Sequence, residues 1–354
     1  SASKCGGLDI DINIPRRDNK VGVGHRGFSV EFDPNMTPRE AARRRDFTIN
    51  AMSLDLNTME LVDPFGGFGD LKAGVLRATD PKTFVEDPLR ALRAMQILPR
   101  KAKTVDPSTM HLIRSMADCF PDLPRERVHE EWRKLLLKAP KPSVGLEFLR
   151  ESGWLKWFPE LEALIGCEQR PEWHPEGDVW VHTLEVADSA ACVWKNVAPE
   201  WQEAFVFGSM LHDIGKPDTT VTADMVAAGL FPKERLLTAH GHDVAGTAPA
   251  ESFLRRLTNN KTLIEQSKTI VLEHMKPFQL AGGGAGDGAW KRLHGRIRLD
   301  VIGWVNRCDC CGRPDRDIND PKLDQEVAVS EQCFARFDDL GAEPVGPVLF
   351  GRHL

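Results

Sequence analysis

The sequence predicts an α+β fold in which a segment of mixed helix and strand is followed by all-α segments. Residues 8–14 alternate apolar and acidic side chains, which is typical of a strand with one wet face. Residues 58–62 favour a second short strand. From Phe84 onward, apolar residues recur at helical spacing. The change of period near residue 84 therefore separates a head that contains a sheet from a helical remainder.

The elements of the head follow from local residue chemistry. Pro15 and the glycines of residues 22–27 predict a loop after the first strand. Residues 38–55 open with a polar, basic stretch that suits the start of a helix. The run Asp-Pro-Phe-Gly-Gly at residues 63–67 predicts a turn that ends the second strand.

Local residues also predict where helices end in the remainder of the chain. Leu89, Leu92 and Ala94 share one helix face, and Pro99 is expected to end or kink that helix. Further along the chain we expect a linker, a mainly helical region and a flexible glycine-rich loop, at residues 139–143, 180–275 and 281–288 respectively.

Composition excludes several classes of protein. The chain has 354 residues, of which 41% are hydrophobic and 28% charged, so it is neither disordered, nor fibrous, nor a small disulfide scaffold. The sequence contains no apolar run of eighteen residues, so it predicts no membrane span. The eight cysteines are scattered and follow no secretion signal, which favours reduced thiols in the cytoplasm. Cys308, Cys310 and Cys311 lack a second cysteine pair at zinc-site spacing, which disfavours structural zinc.

Two motifs in the first half suit nucleotide chemistry. Residues 43–52, Arg-Arg-Arg-Asp-Phe-Thr-Ile-Asn-Ala-Met, offer guanidinium groups for triphosphate oxygens and polar side chains for a ribose hydroxyl. The alternative is a solvated basic helix start followed by core residues. In residues 86–93, Asp87 and Arg90 lie three apart and share a helix face, so they could read a base edge. The alternative there is an intrahelical salt bridge.

The motifs taken in order carry a family resemblance. It rests on residues 10–16, 24–28 and 43–52, on the turn at 63–67, and on 86–94 and 124–136. Together they resemble the class II tRNA nucleotidyltransferases (CCA-adding enzymes) and bacterial poly(A) polymerases, over roughly residues 8–165.

The resemblance implies a polymerase-β-like nucleotidyltransferase head with a mixed sheet at residues 1–83. It implies an all-α neck that binds nucleotide and RNA at residues 84–165. Such enzymes add CMP and AMP from CTP and ATP to the 3′ end of tRNA without a nucleic-acid template, through two Mg²⁺ ions. Poly(A) addition to RNA is the alternative with the same motifs.

Roles for individual residues are implied by the same resemblance. Asp11 matches the third catalytic carboxylate of the metal site. The other matches fall into three groups: ribose and triphosphate contacts (Arg44, Arg45, Asp46, Asn50), head-neck coupling (Asp63, Gly66, Gly67), and the base-reading template with its supporting helix (Asp87, Arg90, Arg127, Glu131).

The sequence also departs from the family pattern. The family begins with a Gly-Gly loop, an Arg-Asp pair and an Asp-x-Asp strand, and none of these stands before the matching part. Residues 5–11 imitate them, but the spacing from Gly-Gly to Asp9 and Asp11 is too short. We therefore expect the primary carboxylate pair and the N-terminal part of the head to be missing from this chain, which would then bind nucleotide poorly and transfer nothing.

A second constellation lies downstream. His182, the pair His212-Asp213, and Asp309 follow in the order that resembles the HD phosphohydrolase superfamily, which implies an all-α HD domain at residues 170–315. By this resemblance these four residues would bind a divalent metal such as Ni²⁺ or Mn²⁺. Three others would bind phosphate or a second metal: Lys216, His240 and His242.

Two further hypotheses remain open. The protein could be an HD hydrolase whose transferase part is an inactive remnant. It could also be a silent RNA-binding protein that uses neck cations, namely Arg125, Arg127, Arg133, Lys134 and Lys138. Residues 316–354 are expected to begin a truncated C-terminal region, and the oligomeric state does not follow from the sequence.

Overall fold

A computed structural model describes residues 33–313, 316–318 and 327–341, together with the backbone of four strands before them. The chain divides into two compact units, Ser1–Val128 and His129–Leu354. The domain boundaries expected at residues 83, 165 and 315 stay predictions.

The strands of the first unit are short and pair two by two. Eight strands, β1 to β8, span Ala2–Cys5, Leu8–Asp11, Arg16–Lys20, Phe28–Phe32, Ser53–Leu54, Leu61–Val62, Val75–Leu76 and Thr104–Val105. The pairs β1–β2, β3–β4 and β5–β6 are antiparallel, whereas β7–β8 is parallel.

The mixed sheet expected for the head is therefore wrong for the described strands, which form four separate two-stranded sheets. Each antiparallel pair joins neighbouring segments of the chain. The parallel pair needs a crossover, which runs through two helices, Pro81–Phe84 and Leu89–Lys101.

Six helices lie wholly or partly in the first unit. Helices α1 to α6 span Pro38–Arg43, Gly67–Ala73, Pro81–Phe84, Leu89–Lys101, Pro107–Ser115 and Arg125–Lys138. The rings of Phe47 and Phe84, both fully buried, pack edge to face at 5.5 Å. The apolar stripe of α4, which includes Leu92 and Met95, is fully buried.

Among the described residues of the second unit, the regular elements are helices, joined by loops. Helices α7 to α19 span Pro142–Ser152, Pro159–Glu162, Val179–Val193, Gln202–Leu211, Lys216–Thr219, Ala223–Ala227, His242–Ala245, Thr247–Leu257, Lys261–Glu273, Lys276–Gly282, Asp287–His294, Leu299–Cys311 and Ala328–Leu340. The core centres on Trp132, whose ring packs against Phe158 at 4.8 Å and Phe253 at 5.2 Å.

Several local expectations can be compared with these elements. The linker expected at residues 139–143 is shorter, since α6 ends at Lys138 and α7 begins at Pro142, and the mainly helical region at 180–275 is confirmed. Helix α4 continues two residues beyond Pro99 and ends at Lys101. The glycine-rich loop is shorter than expected, because α16 runs to Gly282 and α17 starts at Asp287. Across the described part of the chain, no helix is both long and apolar enough to cross a membrane.

Candidate functional site

Asp11 and its neighbours lie at the edge of what the structure describes. Asp11 is the last residue of β2 and pairs with Ala2 of β1. Its side chain lies outside the described residues, so its role as a third carboxylate stays a prediction.

The basic motif of residues 43–52 is organised around one buried carboxylate. Asp46 is 6% exposed and accepts a hydrogen bond from Arg93 Nε at 2.7 Å. Its other oxygen accepts from the backbone amide of Phe47 at 2.8 Å and from Asn50 Nδ2 at 3.2 Å. Arg45 is exposed. In this structure Asp46 thus holds the motif together, and Arg93 is its unforeseen partner.

The expected template pair, Asp87 and Arg90, is divided between two sets of contacts. The Arg90 guanidinium donates to the carbonyl oxygens of Thr83 and Arg44, each at 2.7 Å. Burial lowers the pKa of Arg90, although nearby carboxylates oppose that shift. Asp87 accepts from Arg127 at 3.0 Å, so the expected partnership with the supporting helix is present within the first unit.

The turn at residues 63–67 starts a helix. Both oxygens of Asp63 accept backbone hydrogen bonds, from Gly67 at 2.7 Å and from Phe68 at 2.9 Å, which satisfies the first amides of α2. Gly66 has a φ of 74°, in the left-handed region. Gly67 approaches the Thr48 carbonyl so closely that a Cβ would lie 2.1 Å from the oxygen. The two glycines are therefore needed for different reasons.

The second unit gathers histidines and carboxylates from five helices, four of which carry or precede residues predicted from the sequence. His182 lies within α9, His212 and Asp213 follow α10, His242 starts α13, and Asp309 lies within α18. His182 Nε2 lies 3.1 Å from Asp309 Oδ1, and His212 Nε2 lies 3.3 Å from Asp213 Oδ2. The four residues expected to bind the first metal thus converge in a buried cluster.

A second group surrounds the other oxygen of Asp213. His242 Nε2 lies 3.2 Å from Asp213 Oδ1, and His274 Nε2 lies 3.8 Å from the same oxygen. His274, which follows α15, carries no sequence signal beyond being a histidine. His240 is exposed and stands outside the three groups of the described residues that could hold a metal.

All four buried imidazoles of the cluster are oriented in the same sense. Each Nδ1 lies within hydrogen-bond distance of a backbone carbonyl, at Gly312 for His182, Ser209 for His212, Ala239 for His242 and Val271 for His274. A carbonyl oxygen can only accept, so each Nδ1 is the donor. The Nε2 atoms are left to face Asp213 and Asp309, as they must if they are to bind a metal.

Glu176 adds a carboxylate behind His182. Its side chain is fully buried, and Oε1 lies 2.8 Å from both His182 Nδ1 and His174 Nδ1. Burial alone would raise the pKa of Glu176, but these two histidines outweigh it and lower that pKa to about 2. Sequence reasoning missed both His174 and Glu176, because two polar residues in a proline-containing loop show no ligand spacing.

The electrostatics around His212 favour added positive charge. Burial lowers the pKa of His212, but the Asp213 carboxylate outweighs it and raises that pKa to about 10. Lys216 Nζ lies 2.6 Å from Asp213 Oδ2. On the other side of Asp213, burial and the nearby His212 and His242 lower the pKa of His274 to about 3, so its imidazole is neutral and Nε2 carries a lone pair. The donor set of imidazoles and carboxylates fits a divalent cation, which would supply the charge that protons otherwise provide.

Known families match the first part of the chain. The poly A polymerase head domain family matches residues 5–77, and a family described as the probable RNA and SrmB-binding site of polymerase A matches residues 104–165. The multifunctional CCA protein of Stenotrophomonas maltophilia (strain R551-3) is 36% identical over 309 residues. That alignment covers 86% of this chain and 68% of the relative.

The chain belongs to the multifunctional CCA protein family. A relative from Xanthomonas campestris pv. campestris (strain B100) is 38% identical over 310 residues, with the same coverage of both chains.

Solved structures show the fold of this CCA family. An apo CCA-adding enzyme has a TM-score of 0.58 at 17% identity and covers 98% of this chain and 71% of its own. The Bacillus stearothermophilus CCA-adding enzyme in complex with CTP has a TM-score of 0.52 at 22% identity, covering 88% of this chain and 61% of its own. The likeness extends well beyond the head, which agrees with the helical second unit.

Proposed function

We propose that this protein adds CMP and AMP from CTP and ATP to the 3′ end of tRNA, and that its second unit contains an HD domain, at residues 170–315, that hydrolyses phosphoesters with divalent metal. The relatives named multifunctional CCA protein support the first activity, since they align with 86% of this chain. The buried cluster around Asp213 supports the second.

For transfer, the residues of the first unit have separable tasks. Asp11 would help to hold Mg²⁺, and Arg44 and Arg45 would contact the triphosphate. Asp87 and Arg90 would present an acceptor and donors to the incoming base, with Arg127 orienting Asp87 through its 3.0 Å contact. The side chains of Asp46 and Asn50 would keep the motif in place through their mutual hydrogen bond.

An extension assay tests the transferase. A tRNA that lacks its terminal C-C-A is incubated with Mg²⁺, CTP and ATP, using this chain and the product of the full reading frame. We expect extension by three nucleotides with the product of the full reading frame, loss of that extension in its Asp11→Asn variant, and little or no extension with this chain. Long tails made from ATP alone would assign poly(A) addition instead, and no extension by either protein would contradict the proposal.

The hydrolase is carried by one observation: four buried imidazoles turn Nε2 toward two carboxylates. Asp213 faces His212 with one oxygen and His242 with the other, so it could bridge two cations such as Ni²⁺ or Mn²⁺. Such cations would polarise a phosphoryl group and a water molecule. Lys216 would place its charge beside the same phosphoryl group.

Hydrolysis of a 2′,3′-cyclic nucleotide tests this activity. The chain is loaded with Mn²⁺ or Ni²⁺, and the opened product is measured by chromatography. We expect turnover by the wild-type chain and a loss of at least 100-fold in Asp213→Asn. Asp224→Asn, which alters an exposed aspartate in α12, is the matched control. Equal turnover by both variants would contradict the hydrolase proposal.

A further inference from the structure

A buried glutamine stands beside Lys216. Gln169 is 6% exposed, and its Oε1 accepts a hydrogen bond from Lys216 Nζ at 2.6 Å. The same Nζ lies 2.6 Å from Asp213 Oδ2. An ammonium group only donates, so the Gln169 amide must turn its oxygen toward Lys216 and its nitrogen away.

The amide nitrogen of Gln169 has no acceptor. Nε2 is buried and finds no hydrogen-bond partner among the residues that the structure describes. Leaving such a donor unpaired costs free energy, which a ligand oxygen would recover. Covalent geometry keeps Nε2 within about 5 Å of Lys216 Nζ. Two unpaired amide hydrogens are thus held close to the charged group that contacts Asp213.

The backbone around Gln169 is fixed on both sides. Glu168 forms an antiparallel bridge with Asp178, the residue that caps α9. Arg170 Nε donates to the carbonyl oxygen of Leu236 at 2.9 Å. A glutamine anchored in this way is preorganised, so little conformational entropy is lost when it binds a ligand.

We propose that Gln169 and Lys216 together form a subsite for a non-bridging oxygen of a phosphoryl group. The inference rests on the proposed hydrolase, because it places this oxygen on the phosphoester that the cluster would act on. Lys216 is largely neutralised by Asp213, so its charge alone attracts an anion weakly. Gln169 adds two donors without adding charge, and a phosphoryl oxygen is an acceptor that suits both groups.

Binding of inorganic phosphate to the Mn²⁺-loaded chain tests the subsite by calorimetry. Gln169→Met keeps the length of the side chain and removes both donors. We expect its phosphate Kd to rise at least tenfold, while its Mn²⁺ affinity stays within twofold of wild type. Gln202→Met is the matched control. Gln202 is the first residue of α10, lies outside the cluster, and donates to the Val197 carbonyl. Dimethyl phosphate replaces phosphate in a second arm, and the larger loss identifies a monoester or a diester as the ligand class.

A second measurement reads Gln169 directly. In protein labelled with ¹⁵N-glutamine, the Gln169 side-chain signals are those that disappear in Gln169→Met, or in Gln169→Ala if the first variant does not fold. We expect phosphate to shift these signals in the metal-free wild-type chain, where no paramagnetic Mn²⁺ broadens them.

Two results would overturn the subsite: unshifted Gln169 signals, or phosphate binding by Gln169→Met within twofold of wild type. An equal loss of Mn²⁺ and phosphate affinity in that variant would do so as well, since Gln169 would then act through the ligands. Absence of Mn²⁺ binding in the wild-type chain would instead contradict the hydrolase, and the phosphate-induced shift in metal-free protein would still decide the subsite.

Discussion

At the scale of single residues, the hydrogen-bond acceptors next to Nδ1 of His182 determine which of its two nitrogens can bind a metal. The His182 ring could serve as a ligand through either nitrogen, because Glu176 and His174 lie on one side and Asp309 on the other. Glu176 Oε1 and the Gly312 carbonyl both require a proton on Nδ1. Only Nε2 then remains to bind a cation, so Glu176 is a positioning residue.

Replacing Glu176 therefore tests this orientation. In Glu176→Gln, the amide oxygen can still accept from both His182 and His174, but the side chain loses the negative charge that holds a proton on Nδ1, and its N–H groups replace the buried, unpartnered Oε2. We expect the Mn²⁺ Kd to rise about 10- to 100-fold, measured by calorimetry. Glu172→Gln removes a charge from the exposed part of the same loop and serves as the control. Equal affinities in the two variants would show that Glu176 does not position His182.

The turn before α2 yields a second prediction for single residues. A Cβ at Gly67 would lie 2.1 Å from the Thr48 carbonyl oxygen, whereas a Cβ at Gly69 meets nothing within 4 Å. We expect Gly67→Ala to lower the free energy of unfolding by about 3 kcal/mol, and Gly69→Ala to leave it unchanged or raise it. Denaturant unfolding of both variants measures this. A stable Gly67→Ala protein would contradict the close approach.

Sequence reasoning identified residues best where several stood in a fixed order. His182, His212, Asp213 and Asp309 could be predicted because their order resembles a family pattern. His274 and Glu176 could not, because each is a single polar residue that folding brings to the cluster. His240 has the residue type and the place in the sequence that the resemblance implies, but its side chain is exposed. His242, which starts α13, is the one that is buried.

At the scale of secondary-structure elements, ion pairs join helices that are far apart in sequence. Glu160 in α8 accepts hydrogen bonds from Arg256 in α14 at 2.7 and 2.8 Å, and from Ser252 at 2.6 Å. Burial would raise the pKa of Glu160, but these donors outweigh it and lower that pKa below its ordinary value of 4.5. The folded state therefore favours ionised Glu160.

This linkage predicts a pH dependence. Because the pKa of Glu160 is lower in the folded state, the contact stabilises fully above the ordinary pKa of 4.5, and the stabilisation is lost as pH falls through the folded-state pKa. We expect Glu160→Gln to cost about 2 kcal/mol at pH 7 and clearly less at pH 3, by urea unfolding. Glu162→Gln in the same helix alters an exposed carboxylate and is the control. A cost that does not change with pH would contradict the pairing.

The elements themselves were predictable where the period was long and regular. The apolar residues from Leu89 onward predicted a helix, and the structure contains it as α4. The two-stranded sheets could not be predicted, since strands of two to five residues carry little periodic signal and their partners are set by tertiary contacts. The glycine-rich loop was overestimated because glycines at a helix end, such as Gly282, read as loop.

At the scale of the whole molecule, the two units divide the proposed chemistry. The first carries the motifs expected for nucleotide, the neck expected to bind RNA includes residues of both units, and the second carries the buried cluster of histidines and aspartates. The order of head motifs and later histidine-aspartate pairs was visible in the sequence. The arrangement of the site in the second unit was not, because Asp213 faces different histidines with its two oxygens only once five helices have converged.

The measurement that tests the metal centre most directly is titration of the chain with Mn²⁺, followed by electron paramagnetic resonance. We predict two Mn²⁺ ions per chain and a spectrum from a coupled pair, since Asp213 would bridge the two ions. Asp213→Asn is expected to lose both, while Asp224→Asn keeps them. A wild-type chain that binds no more Mn²⁺ than Asp213→Asn, or that shows isolated ions only, would contradict the bridged centre.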